Sequence, residues 1–219
     1  MPIRPFATLI LTCLLTLPLT LTQAVDASEW RPLFNGKDLD GWEHVGPGKM
    51  VVEGGLLRTE GGMGLLWYTR EKFGDCTIRV VYKATSKASN SGVFVRIADK
   101  PEDEWYAVHH GYEVQICDGA DEYHRTGAIY SMSRAALASK AGEWNTMEIT
   151  LEGKKVQVRV NGVQVQDFDP ETAKIPERKK EYEPERGPRP ERGYIGLQNH
   201  DDYAEGTRVY FKEVSVRPL

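Results

Sequence analysis

Lys155-Val156-Gln157-Val158-Arg159-Val160-Asn161-Gly162-Val163-Gln164-Val165-Gln166-Asp167 alternates valine with polar residues on both sides of an Asn-Gly pair. A strict two-residue period is the signature of a strand with one buried face. Asn-Gly supplies the two positive-φ positions of a tight hairpin turn. The segment therefore predicts an antiparallel β-hairpin, Lys155 to Val160 paired with Val163 to Asp167.

The same pattern extends outward from this hairpin. Met50 to Glu53 and Leu56 to Thr59 flank Gly54-Gly55, a second hairpin signal. Cys76 to Ala84 alternates over nine residues. Further strands are expected at Leu65 to Thr69, Gly92 to Ala98, Tyr112 to Asp118, Gly127 to Ser131, Asn145 to Glu152, Gly193 to His200 and Arg208 to Val216. A short alanine-rich stretch, Arg134 to Lys140, is the one helical candidate and reads equally as a loop. About ten strands with almost no helix point to an all-β fold, two antiparallel sheets stacked as a jelly-roll sandwich. The 219 residues suit one such domain, running from residue 30 to 219.

Residues 1–24 read differently. Arg4 is their one charged side chain, an apolar run follows from Phe6 to Leu21, and small residues stand at Thr22, Ala24 and Ala27. This is the layout of a secretory signal peptide, which predicts export to the periplasm or the cell exterior. An anchoring helix is the competing reading, but the run of roughly 16 residues is short against the ~20 that a bilayer needs. No second apolar span follows, so no membrane span is expected once the signal is cleaved. Removing residues 1–24 takes the net charge from −4 to −5. That acidic balance excludes a general nucleic-acid binder, which needs a basic surface. Three cysteines exclude a disulfide-dense scaffold. In an oxidising compartment Cys76 and Cys117 form a bridge or stay as two buried thiols, and sequence leaves both open.

Three strands put unusual residues on the face opposite their apolar one. Phe94 and Arg96 oppose Val93, Val95 and Ile97. Glu113, Gln115 and Cys117 oppose Val114 and Ile116. Tyr194, Gly196, Gln198 and His200 oppose Ile195 and Leu197. A wet outer sheet face also alternates, but it favours Lys, Thr and Glu over Gln, His and Tyr. Planar amide, carboxylate and guanidinium groups beside aromatic rings suit the hydroxyls and C–H patches of a sugar. Two other segments stand out. Pro170 to Arg192 carries five prolines among Lys, Arg and Glu, and reads as a solvated loop or as a rim over a pocket. Asp118, Asp121, Glu122 and His124 lie close together, as a divalent-cation site or a solvated acidic loop. No nucleophile elbow, dinucleotide motif or phosphate-binding glycine loop occurs.

The segments Leu33 to Trp42, Val52 to Leu57, Asn90 to Arg96, Gly111 to Ile116, Thr126 to Tyr130, Glu143 to Asn145, Asn161-Gly162 and Gly193 to His200 occur in order. Together they resemble the 3-keto-disaccharide hydrolase domain family. The resemblance implies a concanavalin A-like jelly-roll and a carbohydrate substrate already oxidised at C3 by a separate sugar dehydrogenase. A C3 ketone acidifies the C2 proton. A base removes it, the C1 substituent leaves by β-elimination, and water adds to the product. Some relatives stop after elimination, as lyases. A non-catalytic carbohydrate-binding module on the same fold is the alternative.

Within that reading His200 or Glu113 is the expected base. Arg96 and Gln115 are expected to hold substrate oxygens, with Arg96 stabilising enolate charge. Asn90, Tyr130 and Gln198 are expected binding groups. No cofactor is required, although a divalent metal on Glu113 and His200 can replace Arg96 in polarising the ketone. One departure is the acidic turn Asp201 to Gly206, where the family resemblance implies a short glycine turn.

Overall fold

The computed structural model describes residues 29–200 and 206–219. The apolar segment read as an export signal and most of the acidic turn, residues 201–205, lie outside them. No helix among the described residues is long and apolar enough to cross a membrane.

Among the described residues thirteen strands form: β1 (Arg31–Pro32), β2 (Trp42–Val45), β3 (Lys49–Glu53), β4 (Leu56–Glu60), β5 (Gly64–Tyr68), β6 (Cys76–Ala84), β7 (Ser91–Ile97), β8 (Tyr112–Ile116), β9 (Asn145–Glu152), β10 (Lys155–Val160), β11 (Val163–Phe168), β12 (Tyr194–Asn199) and β13 (Val209–Pro218). The large sheet runs β11-β10-β9-β6-β13-β4-β3, with β1 against β13, and the small sheet runs β2-β5-β12-β7-β8. All pairings are antiparallel. The two sheets stack as a jelly-roll sandwich, as the strand pattern predicts. Gly127 to Ser131 contributes only isolated bridges, from Ile129 to Val114 and to Ser133, rather than a full strand.

The core fills the space between the sheets. Ile78, Val80 and Tyr82 of β6 meet Val93 and Val95 of β7, Val114 and Ile116 of β8, and Ile195 and Leu197 of β12. These residues are the apolar halves of the alternating strands, each worth roughly 1.5–3 kcal/mol when fully buried. Cys76 is buried and Cys117 half-buried, and both are free thiols.

The stretch Arg134 to Lys140, which reads equally as helix or loop, is a loop. Its backbone is drawn out beside β11, where Ala136 N–H bonds Val165 O and Gln166 Nε2 donates to Arg134 O. Asn161 Nδ2 donates to Ala138 O. A helix forms instead at α1 (Tyr106–His110). Asp103 Oδ1 accepts the N–H groups of Trp105 and Tyr106 and so satisfies two donors at its start. Ala107 and Val108 pack on Leu65, Trp67, Phe94 and Ile97, the apolar half of the outer face of the small sheet.

Asn199 ties the two sheets at one end. Its Oδ1 accepts Glu60 N–H at 2.9 Å, and its Nδ2 donates to Gly61 O at 2.9 Å and Gly62 O at 2.6 Å. The side chain has no exposed surface. Asn199→Ala strands these groups in a dry site and is expected to cost about 2 kcal/mol. The matching drop in Tm is roughly 4–8 °C, measured by thermal unfolding, whereas a change below 1 °C would show the ties to be idle.

Candidate functional site

The polar half of the outer face of the small sheet is left open by α1. Glu113 and Gln115 rise from β8 and Gln198 from β12, with β7 between them. Gly92 of β7 pairs with Gln115, and its missing side chain makes the site possible. A Cβ at Gly92 would lie 2.5 Å from Glu113 Oε1 and 2.8 Å from its Cγ. Glycine in a strand interior often marks such a close approach. Here it lets the Glu113 side chain lean across β7 toward Gln198.

Burial pushes the Glu113 carboxyl up to about 8, against a hydrogen bond from Gln198 that favours the charged form. No cation helps to offset the burial. Gln115 Nε2 donates to Asn90 Oδ1 at 2.8 Å, which fixes that amide. Oε1 of Glu113, of Gln115 and of Gln198 are all buried without a protein partner. Two unpaired amide oxygens and a carboxyl oxygen on one sheet face form a polar floor, which suits a ligand bringing several hydroxyl groups that both donate and accept.

A cavity of about 710 Å³ stands over this floor. Trp105 and Val108 line one part of it, His124 and Tyr130 another, and Lys179, Lys180, Tyr182 and Glu183 a third, and His200 also borders it. Asn90, Glu113, Gln115, Tyr130, Gln198 and His200, six of the seven residues expected from sequence, therefore border one cavity. Cys117 borders it too.

The third wall belongs to the proline-dense segment from Pro170 to Arg192, which reads on the rim rather than as a free loop. Two arginines knit it down. Arg186 donates to Pro176 O, Pro184 O, Ser131 O and the Glu183 carboxylate. Arg189 donates to Gly111 O at 2.9 Å and His109 O at 2.6 Å.

Arg96, the remaining expected site residue, is not on the cavity. Its side chain is 1% exposed, donates to Gly153 O at 2.7 Å, and stands 3.9 Å from Asp75. The cause is a β-bulge. Tyr194 pairs with Ile97 and Gly196 with Phe94, so β7 carries one more residue than β12 over this span. Arg96 takes the extra place with φ of 58°. A one-residue insertion sends the following side chains to the opposite face. Ile97 thus joins Phe94 outside, and Arg96 turns inward beside Cys76.

The acidic cluster disperses. Asp118 is buried and accepts from Thr126 at 2.6 Å and from the Ser139 hydroxyl. Glu122 pairs with Arg134, and Asp121 with His124. Among the described residues no three His, Cys, Asp or Glu side chains gather as a metal site.

The titration of Glu113 predicts a pH-dependent stability. Its ordinary value is 4.5, so between that pH and about 8 the folded chain holds a proton that the unfolded chain has lost. Stability therefore falls as pH rises through this window, by up to about 1.4 kcal/mol per pH unit. Glu113→Gln is expected to remove that slope. Denaturant unfolding at pH 5 and pH 8.5 checks it, and a pH-independent difference between the two proteins would contradict a buried, protonated Glu113.

The family model for the 3-keto-alpha-glucoside-1,2-lyase-like domain matches residues 29–217. The chain is 24% identical to a 3-keto-disaccharide hydrolase of Bacteroides thetaiotaomicron, over 91% of this chain and 82% of that one. A Parabacteroides distasonis crystal structure, provisionally named a glycosyl hydrolase, superposes with a TM-score of 0.67 at 25% identity, covering 87% of this chain and all of that one. A galectin-like protein of unknown function from Bacillus subtilis shares the fold at 13% identity, with a TM-score of 0.62 over 87% of this chain and 94% of its own. Matched along nearly its whole described length, the protein belongs to the family of 3-keto-alpha-glucoside-1,2-lyase-like domains.

Proposed function

We propose that this protein is an exported enzyme that cleaves glycosides carrying a ketone at C3. The observation that carries this reading is a carboxyl group held protonated near neutral pH on the floor of a sugar-sized cavity. A neutral carboxylic acid in a dry site is a hydrogen-bond donor, and a developing enolate needs one. Glu113 therefore takes the role that Arg96 was expected to fill and donates to the C3 oxygen.

The reaction then runs as an elimination. A base removes the C2 proton, and the C2–H electron pair becomes the C1=C2 bond. The C1–O bond breaks, with its electrons going to the leaving oxygen, which takes up a proton. Water adding at C1 gives the free 3-keto sugar, and stopping before that step gives a lyase. The base is an imidazole of the cavity wall, where His124 and His200 stand. The oxygens of Gln115 and Gln198 accept sugar hydroxyls, with Asn90 orienting Gln115 and Tyr130 forming part of the wall. The ketone must be installed beforehand by an enzyme that oxidises the C3 hydroxyl. The leader-like layout of residues 1–24 supports a reaction in the periplasm or outside the cell.

Purified protein is expected to consume a 3-keto-glucoside without added nucleotide and to leave the unoxidised parent intact. Binding of the sugars with no turnover of the keto form would leave a carbohydrate-binding module instead. Turnover should fall as pH rises through about 8, where Glu113 ionises and stops donating. Glu113→Ala should lose about 10²–10³-fold in kcat. Glu113→Gln keeps a donor and should keep part of the activity while losing that alkaline limb. A rate that rises through the same range, with Gln as inactive as Ala, would make Glu113 the base.

A further inference from the structure

His124 is bound by its neighbours in a way that the reading above leaves unused. Both oxygens of Asp121 lie 2.9 Å from its Nδ1. Asp121 is itself held: its Oδ1 accepts Tyr123 N–H at 2.9 Å, and its backbone oxygen accepts His124 N–H at 3.0 Å. Burial resists ionisation of Asp121, but the Tyr123 N–H and the His124 ring outweigh it, and its carboxyl sits below the ordinary range. An ionised carboxylate on Nδ1 fixes one tautomer, with the proton on Nδ1 and the lone pair on Nε2. The ring borders the cavity and stands edge-on to Tyr130, with centroids 5.3 Å apart. Tyr130 N–H in turn donates to Glu113 O at 2.9 Å. Tyr130 thus links the His124 ring to the strand that carries Glu113.

We propose that His124 is the general base of the reaction, with Asp121 as its positioning residue. This rests on the reading of the cavity as a 3-keto-glycoside site. Nε2 takes the C2 proton as the C1=C2 bond forms and the C1–O bond breaks. The imidazolium produced faces the Asp121 carboxylate, which stabilises its charge. Nε2 then passes the proton to the departing oxygen, which leaves as a hydroxyl and returns the imidazole to its neutral form. No co-reactant is needed. Glu113 works alongside as the donor to the C3 oxygen, so the acid and the base are separate groups with opposite environments. The charged groups around His124 are Asp121, Glu122, Glu177, Lys179 and Glu183 in the adjoining hollow, with Glu113 and Lys180 on the same cavity.

C2 proton exchange isolates this step from loss of the leaving group. The wild-type protein in D2O is expected to exchange the C2 hydrogen of a free 3-keto sugar and to turn over a 3-keto-glucoside. His124→Ala and His124→Gln should both lose exchange and lower kcat by about 10²–10⁴-fold. Asp121→Asn should lower kcat at least about tenfold with KM little changed, because the ring is no longer held in one tautomer, and Asp121→Glu should restore part of the loss. Thermal melting of each variant separates lost chemistry from lost folding, and either folded His124 variant suffices. Wild-type exchange rates in a folded His124 variant would overturn the assignment while leaving the proposed function standing. Failure of the wild type to turn over the keto-glycoside would remove the proposed function itself.

Discussion

A carboxylic acid lodged on an open sheet face with no cation to offset its burial is the constraint around which this molecule is arranged. Sheet faces left to water do not bury carboxyl groups, so Glu113 needs cover. Three features supply it. Gly92 opens the space into which the side chain leans. The helix α1 seals the apolar half of the same face. The segment from Pro170 to Arg192 supplies a further part of the cavity lining. Remove any of these and water reaches the group, the high dielectric returns, and Glu113 becomes an ordinary surface carboxylate.

The two walls are built by different means. The helix is held by packing of Ala107 and Val108 on large apolar side chains. The proline-dense segment packs Ala173 and Ile175 against the core near its start. It is held by guanidinium forks on backbone carbonyls, Arg186 to Ser131 and Arg189 to His109 and Gly111. Planar multi-donor groups suit this task, since each arginine satisfies several carbonyls that proline-rich backbone cannot pair in a ladder.

Strand periodicity made the sandwich legible, because period-two alternation follows directly from which face is buried. Cys76 to Ala84 and Lys155 to Val160 have the bounds expected of them. The same alternation brought Glu113, Gln115, Gln198 and His200 to one face. It failed at Arg96, where a bulge inverts the count, and a bulge leaves no compositional mark on a run such as Val93 to Ile97. Arg134 to Lys140 is open between helix and loop in sequence, and side chains elsewhere in the chain, Gln166 and Asn161, settle it by claiming its backbone carbonyls. The walls were less legible still. Trp105 and Tyr182 face the cavity through tertiary placement alone. Gly92 did carry a signal, a glycine inside a strand, but its meaning depends on which side chain leans over it. The segment Leu33 to Trp42 shows the converse. It is conspicuous in sequence, yet Trp42 is buried in the core with its indole N–H on Leu33 O, and the segment contributes nothing to the cavity.

The anchoring of the proline-dense segment has a consequence for how such a site diversifies. Arg186 and Arg189 fasten it through backbone carbonyls of Ser131, His109 and Gly111. Carbonyl acceptors are indifferent to the side chains of the residues that bear them. Lys179, Lys180 and Tyr182 lie on the stretch before these anchors, on the cavity side. Their identities can therefore drift without loosening the fasteners or touching the floor. The segment behaves as an interchangeable visor on a fixed helmet, and inheritance can retune what enters while the chemistry beneath stays constant.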